Sequence, residues 1–268
     1  MRNSKNRVQL KINFLELIQK EVSNFNHAVA LDNGDWVVKG FIDVAKNIYS
    51  ISIDTKVISK IMELLIFPDL CAFAEKNKLT FKLSKEQNHY PDITFIDEDG
   101  NKYAVDIKSS YRKDDKSVNG MTLGTYTGYF RYRDTKDFIT YPYNDYVGHF
   151  VLGVIYTRCV DLIDERKKYT IQQLKEIPSV VKDFTFFVQE KYKIAHDTPG
   201  SGNTKNIKGD PKIENLINGK GIFSSEGEDI FDDYWMNYLN KEMAKAADLA
   251  KPFYSSLKEY KKFKNIED

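Results

Sequence analysis

The pattern of apolar and polar positions is most informative in a short stretch before the middle of the chain. Residues 93–96 and 103–105 are rich in β-branched and aromatic side chains, as strands are, and Asp99-Gly100 between them is a strong signal for a hairpin turn. Side chains of a strand alternate between its two faces. The second strand therefore places Asp106 and Lys108 on the same face.

The length of the hairpin turn decides which residue faces Asp106. A two-residue turn would set Ile107 opposite Asp92, whereas a three-residue turn over 98–100, with its glycine left-handed, sets Asp106 opposite Asp92. We expect the three-residue turn, because it collects two carboxylates and the Lys108 ammonium at one place.

Two carboxylates beside an ammonium suit phosphodiester chemistry. Mg²⁺ keeps several of its waters and takes only one or two protein carboxylates, so Asp92 and Asp106 would suffice to hold it. The metal would stabilise charge on a phosphoryl group and lower the pKa of a bound water, and Lys108 would contact the phosphate or the attacking water. Taken singly, Pro-Asp is also an ordinary turn and Asp-x-Lys an ordinary surface pair. Only the three residues together indicate a metal-dependent phosphodiesterase site.

Helical spacing of apolar residues predicts one helix near the N-terminus and another that Asp54 or Thr55 would cap. The buried positions expected on these helices are Val8, Ile12, Leu15 and Ile18, then Val57, Ile58, Ile61, Leu64 and Leu65. Residues 144–158 are predicted to form a buried helix. Further strands are predicted at 36–38, 40–42, 138–141 and 184–188.

The chain also resembles a known family. Pro91-Asp92 followed by Asp106-x-Lys108 is the signature of the PD-(D/E)xK nucleases, and further stretches resemble the EcoRV-like type II restriction endonucleases. These stretches are 54–57 (DTKV), 87–92 (QNHYPD), 106–108, 122–124, 141–142, 156–158, 200–204 (GSGNT), 219–223 and 233–235. The signature is weak alone, but the ordered set is specific.

The resemblance implies a fold, a reaction and roles for individual residues. The fold is a mixed α/β architecture, with a central mixed β-sheet flanked by helices as the restriction-endonuclease-like core. The reaction is Mg²⁺-dependent hydrolysis of both strands of a short palindromic site in double-stranded DNA, with GATATC, cut bluntly, as the implied site. Asp92 and Asp106 would bind the metal and Lys108 would position or polarise the attacking water. Glu63 matches an auxiliary acidic residue that holds or exchanges a metal, although its ordinary interpretation is a solvated helix face.

The resemblance also implies DNA contacts. Residues 200–204 would read base edges in the major groove, where Asn203 can pair with adenine; composition alone would make them an ordinary surface loop. Lys205 stands where the family pattern has a second threonine, which could change affinity or flanking preference. The predicted DNA-contacting residues are Gln87, Asn88, Ser110, Thr122, Gly200, Ser201, Gly202, Asn203, Thr204, Lys205 and Asn206.

The length fits one domain, 1–268. By resemblance, a dimerisation subdomain comes from about 30–50 and 165–178, and a catalytic and DNA-binding core from about 51–164 and 179–268. A two-fold homodimer would match a palindromic site. A DNA methyltransferase that acts on the same site is the implied cellular partner.

Composition and charge change this picture little. The net charge of +1 argues against a general nucleic-acid binder, although Lys and Arg cluster at 112–116, 131–136 and 205–212. Cys71 and Cys159 lack CxxC spacing, so neither a disulfide framework nor a zinc site is expected. There is no P-loop and no Rossmann fingerprint, hence no organic cofactor. No apolar run reaches the length of a membrane span and the N-terminus lacks a signal-peptide apolar region, so a cytoplasmic location is predicted.

Two other functions stay open from the sequence. One is a nuclease of the same superfold that recognises DNA structure in repair or recombination. The other is a DNA-binding module with a degenerate catalytic site, which the intact Asp92, Asp106 and Lys108 oppose.

Overall fold

The structure is a computed structural model that describes residues 4–86, 88–159, 166–200 and 205–267. Its helices are α1 (Ser4–Gln19), α2 (Val22–Val29), α3 (Thr55–Lys76), α4 (Ile213–Asn218), α5 (Glu228–Asn237), α6 (Lys241–Ala246) and α7 (Leu257–Lys264). Its strands are β1 (Gly40–Ile42), β2 (Ile48–Ser50), β3 (Thr80–Leu83), β4 (Ile93–Ile96), β5 (Lys102–Tyr111), β6 (Thr122–Thr125), β7 (Tyr146–Arg158), β8 (Lys168–Tyr169), β9 (Val181–Glu190), β10 (Ala195–Pro199) and β11 (Asn206–Gly209). Short 3₁₀ helices lie at Gly128–Phe130, Tyr143–Asp145, Ile171–Glu176 and Lys191–Ile194.

The central sheet has the strand order β3-β4-β5-β7-β9. Its strands β5 and β7 run parallel, and the other neighbours in this sheet are antiparallel. Two smaller sheets have the orders β1-β2-β8 and β10-β11-β6. The predicted mixed sheet is therefore confirmed.

Each face of the central sheet has its own hydrophobic core, because strand side chains alternate. On one face, Val105 of β5 and Phe150 of β7 pack with α1, α2 and α3. On the other, Ala104 and Val151 pack with the β10-β11-β6 sheet and the C-terminal helices, including Trp235 of α5. Helices thus flank the sheet, as the sequence predicts.

The β4–β5 hairpin has the predicted three-residue turn. Ile93 pairs with Val105 and the register continues unbroken along the two strands. The Asp97 N–H donates to the Asn101 carbonyl, and Gly100 has a φ of 75° in the left-handed region. Glycine suits this position because it lacks the Cβ that makes such a φ costly.

Residues 144–158 contain a strand, and the predicted helix was wrong. This strand, β7, lies between β5 and β9, and it is buried at every position from Tyr146 to Tyr156. A strand that is covered on both faces has a continuous apolar sequence instead of an alternating one. Such a run does not reveal whether its period is that of a strand or of a helix.

The α3 helix begins as predicted but buries partly different residues. The Asp54 side chain accepts hydrogen bonds from the first turn, which makes Asp54 the N-cap. Ile58, Met62 and Ile66 are buried on the sheet, whereas Leu64 is 65% exposed and was wrongly assigned to the buried stripe.

The α1 helix buries Ile18 as predicted, but its first two predicted core positions are wrong. Val8 and Ile12 are exposed, while Phe14 and Lys11 are buried. Lys11 can lie there because its Nζ is 2.5 Å from a carboxylate oxygen of Glu228, so a charged residue occupies a place that the apolar pattern could not show.

The remaining strand predictions had mixed outcomes. Residues 40–42 form β1 and 184–188 lie within β9, whereas 36–38 and 138–141 contribute only isolated bridges. Among the residues described, no helix combines the length and the apolar character that crossing a membrane requires.

Close packing between β7 and β9 gives a first prediction. Gly153 lies opposite Phe187, and a methyl group on Gly153 would come within 2.1 Å of the Phe187 ring. Gly153→Ala should therefore lower the free energy of unfolding by about 1–3 kcal/mol through overpacking, as measured by urea denaturation. In a double-mutant cycle, Phe187→Leu should recover part of that loss. An equal loss with and without the ring would contradict this account.

Candidate active site

The β4–β5 hairpin brings the three predicted catalytic side chains together. Lys108 Nζ lies 2.7 Å from Asp106 Oδ2 and 3.9 Å from Asp92 Oδ2. The backbone N–H of Ile107 donates a hydrogen bond of 2.7 Å to Asp92 Oδ2. Two carboxylates and an ammonium therefore meet at one place, on the side of β5 that Ala104 also faces.

These side chains open onto a cavity of about 240 Å³ between the hairpin and the β10-β11-β6 sheet. Asp106 is only 6% exposed, whereas the Asp92 side chain is 33% exposed. The residues that line the cavity are Asn88, His89, Tyr90, Asp92, Asp106, Lys108, Gly124, Thr125, Tyr129 and Asn206.

The charges in this cavity shift each other's protonation. Burial and the negative charge of Asp106 raise the pKa of Asp92 to about 7, against the opposing effects of the Lys108 ammonium and the Ile107 N–H. Burial alone would lower the pKa of Lys108, but attraction to Asp106 and Asp92 outweighs it and raises that pKa above its ordinary value. Lys108 therefore stays protonated at neutral pH.

The donor set fits Mg²⁺. Asp92 and Asp106 offer only oxygen ligands, which a hard cation prefers, and Mg²⁺ needs no more than one or two carboxylates because it keeps several waters. Within the described part of the chain, no group of three or more His, Cys, Asp or Glu residues is placed to hold a metal. Glu63 is thus not part of a preformed three-carboxylate cluster.

Glu63 instead lies in an adjoining groove of about 740 Å³ that it shares with Asp92. Its carboxylate is 2.6 Å from Lys60 Nζ, and its side chain is 29% exposed. The helix face that carries Glu63 therefore lines the same groove as Asp92.

The same groove contains basic and hydroxyl side chains that the sequence reasoning did not assign a role. Its lining residues are Thr55, Lys56, Ser59, Lys60, Glu63, Ser84, Lys85, Glu86, Asp92 and Ser109. The signal in the sequence was the repeat of hydroxyl and lysine residues at 55, 56, 59 and 60, which helical spacing puts on one face of α3. Lysines and hydroxyls of this kind suit contacts to a phosphate backbone.

The predicted DNA-contacting residues are placed in several ways. Asn88 and Asn206 line the catalytic cavity, and Thr122 is exposed at the start of β6. Ser110 is buried, and its hydroxyl donates to the Gly120 carbonyl at 2.9 Å, so here it holds the chain after β5 and does not face solvent.

Part of the predicted recognition loop lies outside the described residues, namely Ser201, Gly202, Asn203 and Thr204. Gln87 also lies outside them. Its two ends are described. The Gly200 N–H donates to the Asn206 carbonyl at 2.8 Å, and the Lys205 carbonyl accepts from the Tyr126 N–H. These bonds anchor both ends of the loop beside the catalytic cavity.

Known proteins are similar to this chain over most of its length. The family model described as "Restriction endonuclease EcoRV" matches residues 32–265. The chain is also 38% identical over 242 residues to the type II restriction enzyme EcoRV of Escherichia coli, which covers 89% of this chain and 95% of that protein.

The raised pKa of Asp92 predicts how stability depends on pH in the metal-free protein. The group titrates at 3.8 ordinarily and at about 7 when folded, so between these values the folded state binds more protons than the unfolded state. The free energy of unfolding therefore falls as pH rises through this window. Asp92→Asn should remove that fall, and in EDTA at pH 8 it should be roughly 1–2 kcal/mol more stable than wild type, a modest figure because the side chain is one-third exposed.

The control for this measurement is Asp99→Asn, since Asp99 is exposed at the hairpin tip. Its unfolding free energy should follow the wild-type pH profile from pH 4 to 8. A difference between Asp92→Asn and wild type that stays constant over this range would contradict the assigned shift.

Proposed function

The chain belongs to the EcoRV family of restriction endonucleases and is a type II site-specific deoxyribonuclease, and from this premise we propose how its site works. It cleaves both strands of a short palindromic site in double-stranded DNA with Mg²⁺ as its metal. GATATC, cut bluntly, is the proposed site. The observation that carries the proposal is the meeting of Asp92, Asp106 and Lys108 in one cavity beside a polar groove that contains three lysines.

Asp92 and Asp106 are the proposed metal ligands, and Glu63 in the adjoining groove is the proposed auxiliary acidic residue. When bound, the metal supplies neutralisation of charge on the phosphoryl oxygens and a lower pKa for a bound water. The Ile107 N–H, which donates to Asp92 Oδ2 at 2.7 Å, holds that carboxylate in its orientation.

Lys108 acts as a cation and a hydrogen-bond donor. Its raised pKa keeps it protonated at neutral pH, so it is suited to orient the attacking water and to stabilise charge that develops on the phosphate in the transition state. It is not suited to be the general base, which must accept a proton.

The proposed DNA path follows the polar groove. Lys56, Lys60 and Lys85 line it near Asp92, and contacts from such residues to phosphates fix the position of the duplex without reading its sequence. Residues 200–206 are the proposed reader of base edges in the major groove, and Gln87 and Asn88 the proposed contacts on the minor-groove side. Lys205 stands where the family pattern has a threonine, and it is the proposed source of any difference from the family in preference for the bases that flank the site.

A homodimer is the proposed assembly. The β1-β2-β8 sheet joins the segments around 40–50 and 168–169, the two parts of the chain predicted to form a dimerisation subdomain. Large apolar side chains on and beside this sheet are exposed to solvent, namely Phe41, Ile42, Val44, Ile171 and Leu174. Such a surface fits a second copy of the chain, related by the two-fold symmetry that a palindrome requires.

The proposed cellular setting follows from the substrate. A nuclease that cuts a short DNA site needs protection of the host's own sites, so a DNA methyltransferase of the same specificity is the proposed partner. The proposed location is the cytoplasm, where foreign DNA is met. Family membership and the intact catalytic residues favour this function over a structure-specific repair nuclease and over a degenerate binding module.

A plasmid digest tests the proposed function. With Mg²⁺, the protein should produce a fixed set of fragments, and sequencing of both strand ends should give one palindromic site with opposed cuts. Asp106→Ala should abolish cleavage and retain specific DNA binding, because it removes a proposed metal ligand and no base contact. Asp99→Ala, at the exposed hairpin tip, is the matched control and should cut normally. Random nicking, or near-normal cutting by Asp106→Ala, would overturn the assignment.

Lys108→Ala should slow the cleavage step by about three orders of magnitude, in the range seen when a preorganised donor to a developing charge is removed. The measurement is the single-turnover rate at saturating protein and Mg²⁺. DNA affinity should change much less than the rate. A loss confined to affinity would make Lys108 only a phosphate clamp. Lys85→Ala, in the groove but outside the carboxylate pair, should show that opposite pattern and serves as the comparison.

A further inference from the structure

Lys191 is a buried lysine that the chemistry above does not use. It opens the 3₁₀ helix Lys191–Ile194 directly after β9, and it is only 2% exposed. Its Nζ has no hydrogen-bond partner among the described residues. An ammonium that is taken out of water without such a partner is costly, so its surroundings must compensate in another way.

Aromatic faces provide part of that compensation. Lys191 Nζ lies 5.2 Å from the ring centre of Tyr90, 5.3 Å from that of Phe130 and 6.0 Å from that of Tyr143. The faces of aromatic rings attract cations at such distances. Three rings on different elements also leave the ammonium little freedom to move.

This ammonium lies directly behind the wall of the catalytic cavity. Tyr90 and Gly124 both line that cavity, and Nζ is 3.6 Å from the position that a Cβ on Gly124 would occupy. Burial lowers the pKa of Lys191 to about 8, and the negative charge of Asp106 is the largest influence in the opposite direction. The group is therefore mainly charged at neutral pH, within reach of the field of Asp106.

The charge count of the cavity shows what a second cation would do. When both are ionised, Asp92 and Asp106 carry two negative charges, and Lys108 offsets one of them. Lys191 balances the second, and charge interactions are stronger in a buried site than in water. Unlike Lys108, it lies beyond ion-pair distance of both carboxylates.

We propose that Lys191 is a positioning residue for the cleavage reaction, a fixed cation behind the cavity wall that adds positive potential at the two carboxylates and at the scissile phosphate. The inference rests on the proposed function of this cavity. A fixed cation at this place has opposite effects on the cleavage rate and on metal affinity. A fixed cation favours the negatively charged transition state, and it also opposes the binding of a divalent cation to the adjacent carboxylates.

The test compares Lys191→Met with Lys193→Met in the full chain. Both changes remove one positive charge from the same 3₁₀ helix, so general effects of net charge are matched. Lys193 differs because its ammonium is paired with Glu190 at 2.5 Å. Relative to this control, Lys191→Met should slow single-turnover cleavage at saturating Mg²⁺ by about tenfold or more. In calorimetry without DNA, it should bind Mg²⁺ about threefold more tightly or better.

A structural role would give a different pattern. The electrostatic role predicts a Tm for Lys191→Met that is equal to or above that of wild type, because a neutral side chain no longer has to be desolvated as an ion. Weaker Mg²⁺ binding together with a lower Tm, or rates and Mg²⁺ affinities equal to those of Lys193→Met, would overturn the inference. Should Lys191→Met fail to fold, Lys191→Gln provides the same two readouts. Failure of wild type to cut DNA would instead overturn the proposed function, whereas the Mg²⁺ titration still tests Lys191.

Discussion

The Asp97 side chain closes the hairpin that carries the proposed catalytic residues. Its Oδ1 accepts from the backbone N–H of Asn101 at 2.8 Å, and its Oδ2 accepts from the Asn101 side chain and from the Tyr103 hydroxyl. Together with left-handed Gly100, these bonds fix the register of β4 on β5. A slip of one residue would send every side chain of one strand to the opposite face, so the meeting of Asp92, Asp106 and Lys108 depends on a turn at the far end of the hairpin.

This register places like charges side by side, and the local structure offsets the resulting repulsion. Lys108 stabilises the Asp106 carboxylate from 2.7 Å. The Ile107 N–H stabilises the Asp92 carboxylate through a hydrogen bond of 2.7 Å. Burial, together with the negative charge of Asp106, still raises the pKa of Asp92 to about 7. Groups with such perturbed pKa values cluster where chemistry is performed, and the residual negative potential is what a divalent cation would neutralise.

A feature of the fold or of the site could be predicted when residues close together in the sequence determine it. The hairpin, its turn and the meeting of Asp92, Asp106 and Lys108 follow from about twenty consecutive residues, and all were predictable. The strand β7 was not, because burial on both faces removes the alternation that identifies a strand. Lys191 could not be predicted either, since three rings distant in sequence or on other elements define its site.

The side chains of β5 alternate between a face that packs in the core and a face that lines the cavity. Tyr103 and Val105 face the core beneath α1 and α3, where Phe14 stacks on Tyr103 with ring centres 4.3 Å apart. Asp106 and Lys108 come next along the strand and meet at the catalytic cavity. Phe14 belongs to α1, which precedes the residues 32–265 matched by the family model. The helix nevertheless supports the strand that presents the proposed catalytic carboxylate, because Phe14 packs on the face of β5 opposite to Asp106.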